Sequence, residues 1–593
     1  FMFLRSRYQF VRTTNDVTPA FSNVTNVSGL AGIQGNDQTP ENWGPPSLAF
    51  TTIAGLSTGQ YAANTNLTNG GGSEIFWFRG RHSLTMGGNV RRQAFDVFSQ
   101  QNARGNFGFT GAVTGSDLGD FLLGLPQTSA IAFGNADKAF RQNVVEAYFN
   151  DDYRVSPVLT LNLGVRWEYE SPITEAQGRL VNLDVASGFT SVSPVVAGDG
   201  LLQSDRSGIQ PRVSLAWRPI PGSSLVVRAS YGIYRNQNVY LSLASLLAQQ
   251  PPLSNTATAQ RSAALPLTMA TGFQQLTSSP INTFAVDPAF RVGSAHNWQA
   301  SVQRDLPSSL TVIATYLGSH GTHLMQQVLP NTYPIGASNP CVSCPSGFVY
   351  LSSDGTSDRN AAQLQLRRRL RNGFTASGQY TLAKATDNAT AFNGASLGGA
   401  SIAQNWLDLD AEHGPSSFDQ RHQFTAQAQY TTGAGLTGGT LVDGVRGRLL
   451  KDWTFVAQLT MGSGLPITPL YLVPVPGTGY VGSIRGRLTG QSTDAPDGYY
   501  MNPAAYGAPA AGEWGDAGRN SERGPSQFSL NAAVGRTFRW GERFNIDWRI
   551  DANNVLNRQV YTSVNTIIGN PQFGLPNGIN QPRTIQSSLR VRF

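Results

Sequence analysis

Charge is scarce in this chain. Only 13% of its 593 residues are Asp, Glu, Lys or Arg, about half the share in an ordinary soluble domain. Lysine is nearly missing, with Lys138, Lys384 and Lys451 alone among 43 basic residues, so the net charge of +7 is carried by arginine. Those arginines are dispersed, and only Arg367-Arg368-Arg369 forms a dense run. The pattern argues against a nucleic-acid partner, which calls for a basic patch or stripe. No run of 18 apolar residues occurs, which excludes a transmembrane helix. Two cysteines exclude a disulfide-built scaffold, and six scattered histidines without a nucleophile elbow point to no enzyme and no cofactor. No secretory leader opens the chain, and the strand-like Phe1–Arg12 begins at once. The sequence is therefore expected to lack its natural beginning.

What the chain does have is alternation. From Val158 to Glu170, Leu159, Leu161, Leu163, Val165, Trp167 and Tyr169 fall on one face. Thr160, Asn162, Gly164, Arg166, Glu168 and Glu170 fall on the other. A period of two is a strand with one apolar and one polar side. Ten or more residues is long for a soluble sandwich, whose strands average about 5–6, but long enough to cross a bilayer at a tilt. Arg141–Tyr153, with Val145, Ala147 and Phe149 sharing a face, forms the other arm of this hairpin.

The unit recurs. Strands are predicted at Phe1–Arg12, Ser73–Arg79, Ser83–Phe95, Arg141–Tyr153, Val158–Glu170, Arg212–Trp217, Ser224–Arg235 and His296–Arg304. They continue at Leu310–Ser319, Gln363–Leu370, Phe374–Leu382, Gln423–Tyr430, Trp453–Met461, Gln527–Phe538, Arg543–Val555 and Thr584–Phe593. Short turns, such as Pro219–Gly222 and the Asn372-Gly373 hairpin signal, alternate with long polar loops such as Pro466–Gly524. Short helical turns are expected within the loops at Asp117–Leu125 and Tyr240–Ala248, and a longer link through Val442–Leu450. With no helix able to span, a closed barrel is the remaining way to cross a bilayer. The turn–loop asymmetry is that of bacterial outer-membrane barrels, with short periplasmic turns and long extracellular loops. The expected fold is therefore all-β: a transmembrane antiparallel barrel of about 16 strands. Its aromatics near strand ends, Trp167, Tyr169, Tyr231, Tyr234, Trp540 and Trp548, suit interfacial girdles.

Several segments, in order, resemble one family. They are Phe107-Gly108-Phe109-Thr110-Gly111, Asp120-Phe121-Leu122-Leu123-Gly124-Leu125-Pro126, Tyr148–Val155, Leu159–Tyr169 and Tyr316–Leu324. Phe418-Asp419-Gln420-Arg421-His422-Gln423-Phe424, Gly462-Ser463-Gly464-Leu465-Pro466 and Asn553-Asn554-Val555-Leu556-Asn557 complete the set. Together they resemble TonB-dependent receptors of the Oar-like type, with an N-terminal carboxypeptidase-regulatory-like domain. The resemblance implies a 22-stranded barrel, a plug and a TonB box, of which residues 1–593 would be the C-terminal barrel portion. It implies capture of an unidentified extracellular substrate and uptake energised through TonB. It also implies partners in outer-membrane lipid, lipopolysaccharide and the barrel-assembly machinery. A passive porin and a structural or adhesive surface barrel are the rivals. If Phe1–Arg12 pairs with Thr584–Phe593, the barrel closes on sixteen strands as porins do. If not, about six further strands are expected to complete it.

Phe593 ends the alternating series Ile585, Ser587, Leu589, Val591 and, by the resemblance, is a barrel-assembly signal rather than a chance terminal aromatic. Cys341-Val342-Ser343-Cys344 in a loop facing an oxidising exterior is expected as a local disulfide. A zinc site joining these cysteines to His320 and His323 lacks finger-like patterning. Asp408, Asp410 and Glu412 read as a solvated acidic loop rather than a calcium site. Gly433–Gly438 matches a dinucleotide fingerprint only formally, since no βαβ unit surrounds it, and reads as a periplasmic turn. No metal site is expected, and no residue identifies the substrate.

Overall fold

The computed structural model describes residues 1–593 except 51–52, 198–200, 238, 262–264, 275–283, 331–337, 339–348, 389–402, 472–483, 511–512 and 541–543. One antiparallel wall of sixteen long strands dominates. In chain order they are β1 (Met2–Val17), β2 (Ala62–Arg79), β3 (His82–Ser99), β4 (Asp137–Ser156), β5 (Leu159–Glu170), β6 (Ile209–Trp217), β7 (Val226–Arg235) and β8 (Ser294–Leu306). They continue as β9 (Leu310–Val328), β10 (Val349–Arg371), β11 (Phe374–Asp387), β12 (His422–Thr431), β13 (Trp453–Gly462), β14 (Gln527–Trp540), β15 (Phe544–Asn553) and β16 (Thr584–Arg592). Each pairs with the next. No helix is long and apolar enough to cross a membrane among the described residues. All sixteen predicted strands are present.

Register carries one face through the whole wall. Leu161 of β5 lies opposite Tyr153 of β4 and Leu215 of β6, and Leu163 opposite Asp151 and Val213. Farther along, Tyr316 of β9 lies opposite Ala300 of β8 and Ala362 of β10. Because side chains alternate, one such match fixes the facing of both strands. The apolar side faces lipid and the polar side faces the lumen. The Asn372-Gly373 turn supplies the two left-handed residues its hairpin needs, with φ of 54° and 76°.

Several strands run further than predicted, three of them much further. β2 begins at Ala62, β9 continues to Val328 and β10 begins at Val349. The added segments, such as Ala62-Ala63-Asn64-Thr65-Asn66, are polar and show no alternation. Beyond the bilayer neither face must be apolar, so the pattern that reveals a strand in lipid is absent although the ladder continues. One girdle residue is also corrected. Tyr234 lies three residues from Tyr231, hence on the opposite face, where the Arg212 guanidinium stacks 4.6 Å from its ring centre. It lines the lumen. For Trp540 only the backbone is described.

Among the described residues, β1 pairs only with β2 and β16 only with β15. Every residue of both strands is exposed. The two ends of the wall are thus not joined to each other, and the closed sixteen-strand arrangement of the porin reading is not the one observed.

Candidate functional site: a charged lumen and a folded crown

Two regions can meet a solute: the luminal face of the wall and the loops above it. The luminal face is built by the polar half of the alternation. Glu146 of β4 and Glu168 of β5 sit directly opposite each other in register, and both are buried. Two adjacent carboxylates repel, and arginines resolve this. Arg166 bridges them, pairing with Glu146 and donating from Nε to Glu168 Oε2 at 3.1 Å. Arg91 of β3 reaches Glu146 at 3.2 Å. Gln237 and Gln210 donate to the two oxygens of Glu168 at 2.7 and 3.3 Å. The ladder extends sideways, where Tyr148 donates to Glu74 Oε2 at 3.0 Å and Arg5 pairs with the other Glu74 oxygen. A cavity of about 980 Å³ lies along the neighbouring wall, with Asn162, Arg212, Ser214, Arg228, Ser230 and Tyr234 among its lining. Such a surface offers many hydrogen-bond donors, which suits a polar or anionic solute.

The crown is folded. One apolar cluster forms around the helix Val239–Leu247, whose Val239, Tyr240, Leu243, Ala244 and Leu247 are buried against Phe140, Leu180, Val286, Phe290 and Leu351. Asn182 joins two loops like a strand: its side chain donates to Val286 O at 2.8 Å and accepts from Val286 N at 3.0 Å. A second cluster joins Met501, Tyr506, Ile568 and Phe573. A third gathers Ile33, Phe107, Phe109, Ile131 and Phe273. Three ion pairs lock the far side: Arg485 with both oxygens of Glu412 at 2.8 Å, Arg519 with Asp387, and Arg523 with Asp419 at 2.5 Å.

Backbone donors tune the crown acids. Burial alone would raise Glu175, but amide hydrogens of Ala139, Arg179 and Gln177 hold its carboxyl below the usual range. Asp205 is likewise lowered against its burial, by Ser207 and the Arg235 guanidinium at 2.6 Å. Asp120 caps its own loop: burial opposes ionisation, yet Thr114 and Val113 donate to its carboxylate and keep it low.

The sequence-predicted site residues have mixed fates. The helical turns appear at Asp117–Leu122 and Val239–Leu247. Cys341 and Cys344 lie outside the described residues. Phe593 is fully exposed just beyond β16. His320 and His323 are not brought together: His320 Nδ1 lies 2.7 Å from Asp358 on the outer wall, while His323 meets Arg291 at 3.2 Å. Glu412 is not solvated, being buried on Arg485, while Asp408 and Asp410 are exposed. Gly433–Gly438 lies in the link between β12 and β13, where a 3-10 turn forms at Leu436–Gly438. No group of three or more metal-ligating side chains occurs among the described residues. The Glu146–Arg166–Glu168 ladder was missed because only register, not spacing, places its members side by side.

No curated protein matches the chain. Among solved structures it is similar to the outer membrane transporter YddB from Escherichia coli, with a TM-score of 0.50, 10% identity, and 92% of this chain and 58% of that one covered. It is also similar to FpvA of Pseudomonas aeruginosa bound to pyoverdines, with a TM-score of 0.48, 12% identity, and coverage of 100% and 54%. The ferric-catecholate import receptor Fiu of E. coli gives 0.46, 11%, 91% and 56%. The chain thus spans little more than half the length of these structures. At such identities the likeness is one of fold. The outer membrane beta barrel domain family matches residues 2–586; the chain belongs to that family, and its place is the bacterial outer membrane.

Proposed function

We propose that this wall and crown are the barrel of a TonB-dependent receptor of the Oar-like type, which captures a polar substrate on its loops for uptake energised through TonB. The observation that supports this reading over a passive porin is the unjoined pair β1 and β16. Two unpaired strand edges are untenable in hydrocarbon, so further strands outside residues 1–593 would complete the ring. In this reading a plug and a TonB box accompany those strands. Phe593 is the signal read by the barrel-assembly machinery, lipopolysaccharide meets the outer leaflet, and Cys341 and Cys344 form a loop disulfide. The structural or adhesive alternative draws on the self-packed crown, which resembles a scaffold for surface display.

The test uses the full-length protein in its native cell. Site-specific photo-crosslinking upstream of Phe1 should yield an adduct with TonB, and substrate-dependent growth should stop on collapsing the proton-motive force. Growth that survives loss of TonB would sink the receptor reading. Export lost on Phe593→Ala but not Arg592→Ala would support the assembly signal.

A further inference from the structure

The link between β12 and β13 is the exception among the short turns. It runs from Thr432 to Asp452 and contains the helix Gly444–Leu450. Most of its neighbours at the same end, such as Asn372-Gly373, need only two or three residues, and the longest of the others is Arg218–Leu225. The extra length builds a foot. The final helical carbonyls, which lack partners within a helix, are taken by groups on the lipid face of the wall. Leu449 O accepts from Trp453 Nε1 at 2.8 Å and from Arg536 at 3.1 Å, and Arg448 O accepts from Arg536 as well. Trp453 and Arg536 are opposite each other in register, in the outward-facing series of Phe455 and Val534. The helix is therefore pinned to the rim outside the barrel, not over its lumen.

Its sequence then matters. Gly447 is the one buried helical residue. At 100° per residue, Val445 and Leu449 point away from it, and Arg446 and Arg448 flank them on either side. Val445 and Leu449 are 75% and 66% exposed to water, and Leu450 58%. Neither arginine has a carboxylate partner among the described residues, whereas Lys451 is paired with Asp443 at 3.8 Å. An apolar stripe between two cations is the composition of a helix lying in a membrane interface.

A second observation lies along the same strands. Ala376, Ala428, Ala457, Ala532 and Ala552 stand side by side in register across β11 to β15. They are bordered towards the foot by Phe374, Tyr430, Phe455, Val534 and Ile550. The dip at Ala428, Ala457, Ala532 and Ala552 is an apolar cavity of about 400 Å³ on the outer face. From Trp453 to Ala457 is four residues, about 13 Å, which is acyl-chain reach from a headgroup held at the foot.

We infer that the foot and the alanine row together form a binding site for an anionic phospholipid of the inner leaflet, with Arg446 and Arg448 drawing its phosphate to the helix and one acyl chain in the row. This inference rests on the outer-membrane fold and not on the transport reading, so the two can fail separately. The purified protein in mixed micelles of phosphatidylglycerol and phosphatidylcholine is the system, and native mass spectrometry counts the retained lipid. The intact barrel should retain phosphatidylglycerol preferentially. Arg446→Gln and Arg448→Gln should each lower its retention about fivefold, and Ala457→Leu should lower retention of both lipids alike. A spin label at Val445→Cys, in a Cys341→Ser/Cys344→Ser background in phosphatidylglycerol liposomes, should be relaxed by oxygen more than by a nickel chelate. Equal retention of both lipids by the intact barrel, or unchanged retention in both arginine variants, overturns the site. A Val445 label as open to nickel as one at Asp443→Cys overturns the foot. The heat-modifiable band of each variant confirms that it is folded.

Discussion

The wall and the crown solve the same problem, ordering a polar chain, by opposite means. In the wall the ladder pairs the backbone everywhere but along the outer edges of β1 and β16, and side chains need only alternate. Leu163 can stand 41% exposed because lipid, not protein, covers it. In the crown the ladders are short and separate, so order comes largely from buried apolar clusters and from ions removed from water. Phe107, Leu243 and Met501 are fully buried there, in loops with the composition of surface chain. The wall is thus held by pattern and the crown by particular partners. Local damage should spread differently in each.

The largest expected effect is in the crown. Arg485→Met leaves the buried carboxylate of Glu412 without its cation, a loss of about 3–5 kcal/mol. It should release the loop around Glu412 to limited proteolysis while the heat-modifiable barrel persists. A barrel lost together with the loop would dissolve the distinction between the regions. Next comes the wall. Leu163→Arg places a charge in lipid at about 2–4 kcal/mol near the midplane, whereas Asn162→Arg, facing the lumen, should cost under about 1 kcal/mol. Equal yields of folded barrel would erase the assignment of faces.

Acid should separate the regions more gently. The carboxyl of Glu175 ionises below its ordinary 4.5, and those of Asp205 and Asp120 below 3.8. A lowered folded value contributes stability above the ordinary value and loses it as pH falls through the folded one. Between pH 7 and pH 5 a spin label at Gln177→Cys, beside Glu175, should keep its mobility. Below pH 4.5 it should loosen while the barrel stays folded. The smallest effect is a labelling contrast. An impermeant maleimide on intact cells should reach Gln491→Cys in a long loop but not Ser223→Cys in a short turn. The reverse would invert the wall and carry the foot to the outer leaflet.

The same contrast explains what could be read in advance. Leu159 to Tyr169 declares its strand because lipid demands an apolar residue at every second place, and that demand is local. The Asn372-Gly373 turn is legible for the same reason, since two residues specify it. Nothing local marks Glu412 as the partner of Arg485, or Asn182 as the partner of Val286. Those pairings are set by how distant loops pack. Glu146 and Glu168 lie between the extremes: each is visible as a polar place in a strand, but their meeting depends on register across a turn. The foot helix escaped notice because seven residues are too few to show a period.

The overrun of β10 has a consequence for access. Its 23 residues, at about 3.3 Å each and a tilt of about 40°, rise roughly 58 Å. The hydrocarbon band takes only about 25 Å of that height. With β9 running beside it to Val328, the barrel continues as a palisade some 30 Å beyond the lipid. A solute approaching along these strands therefore meets protein well above the membrane plane.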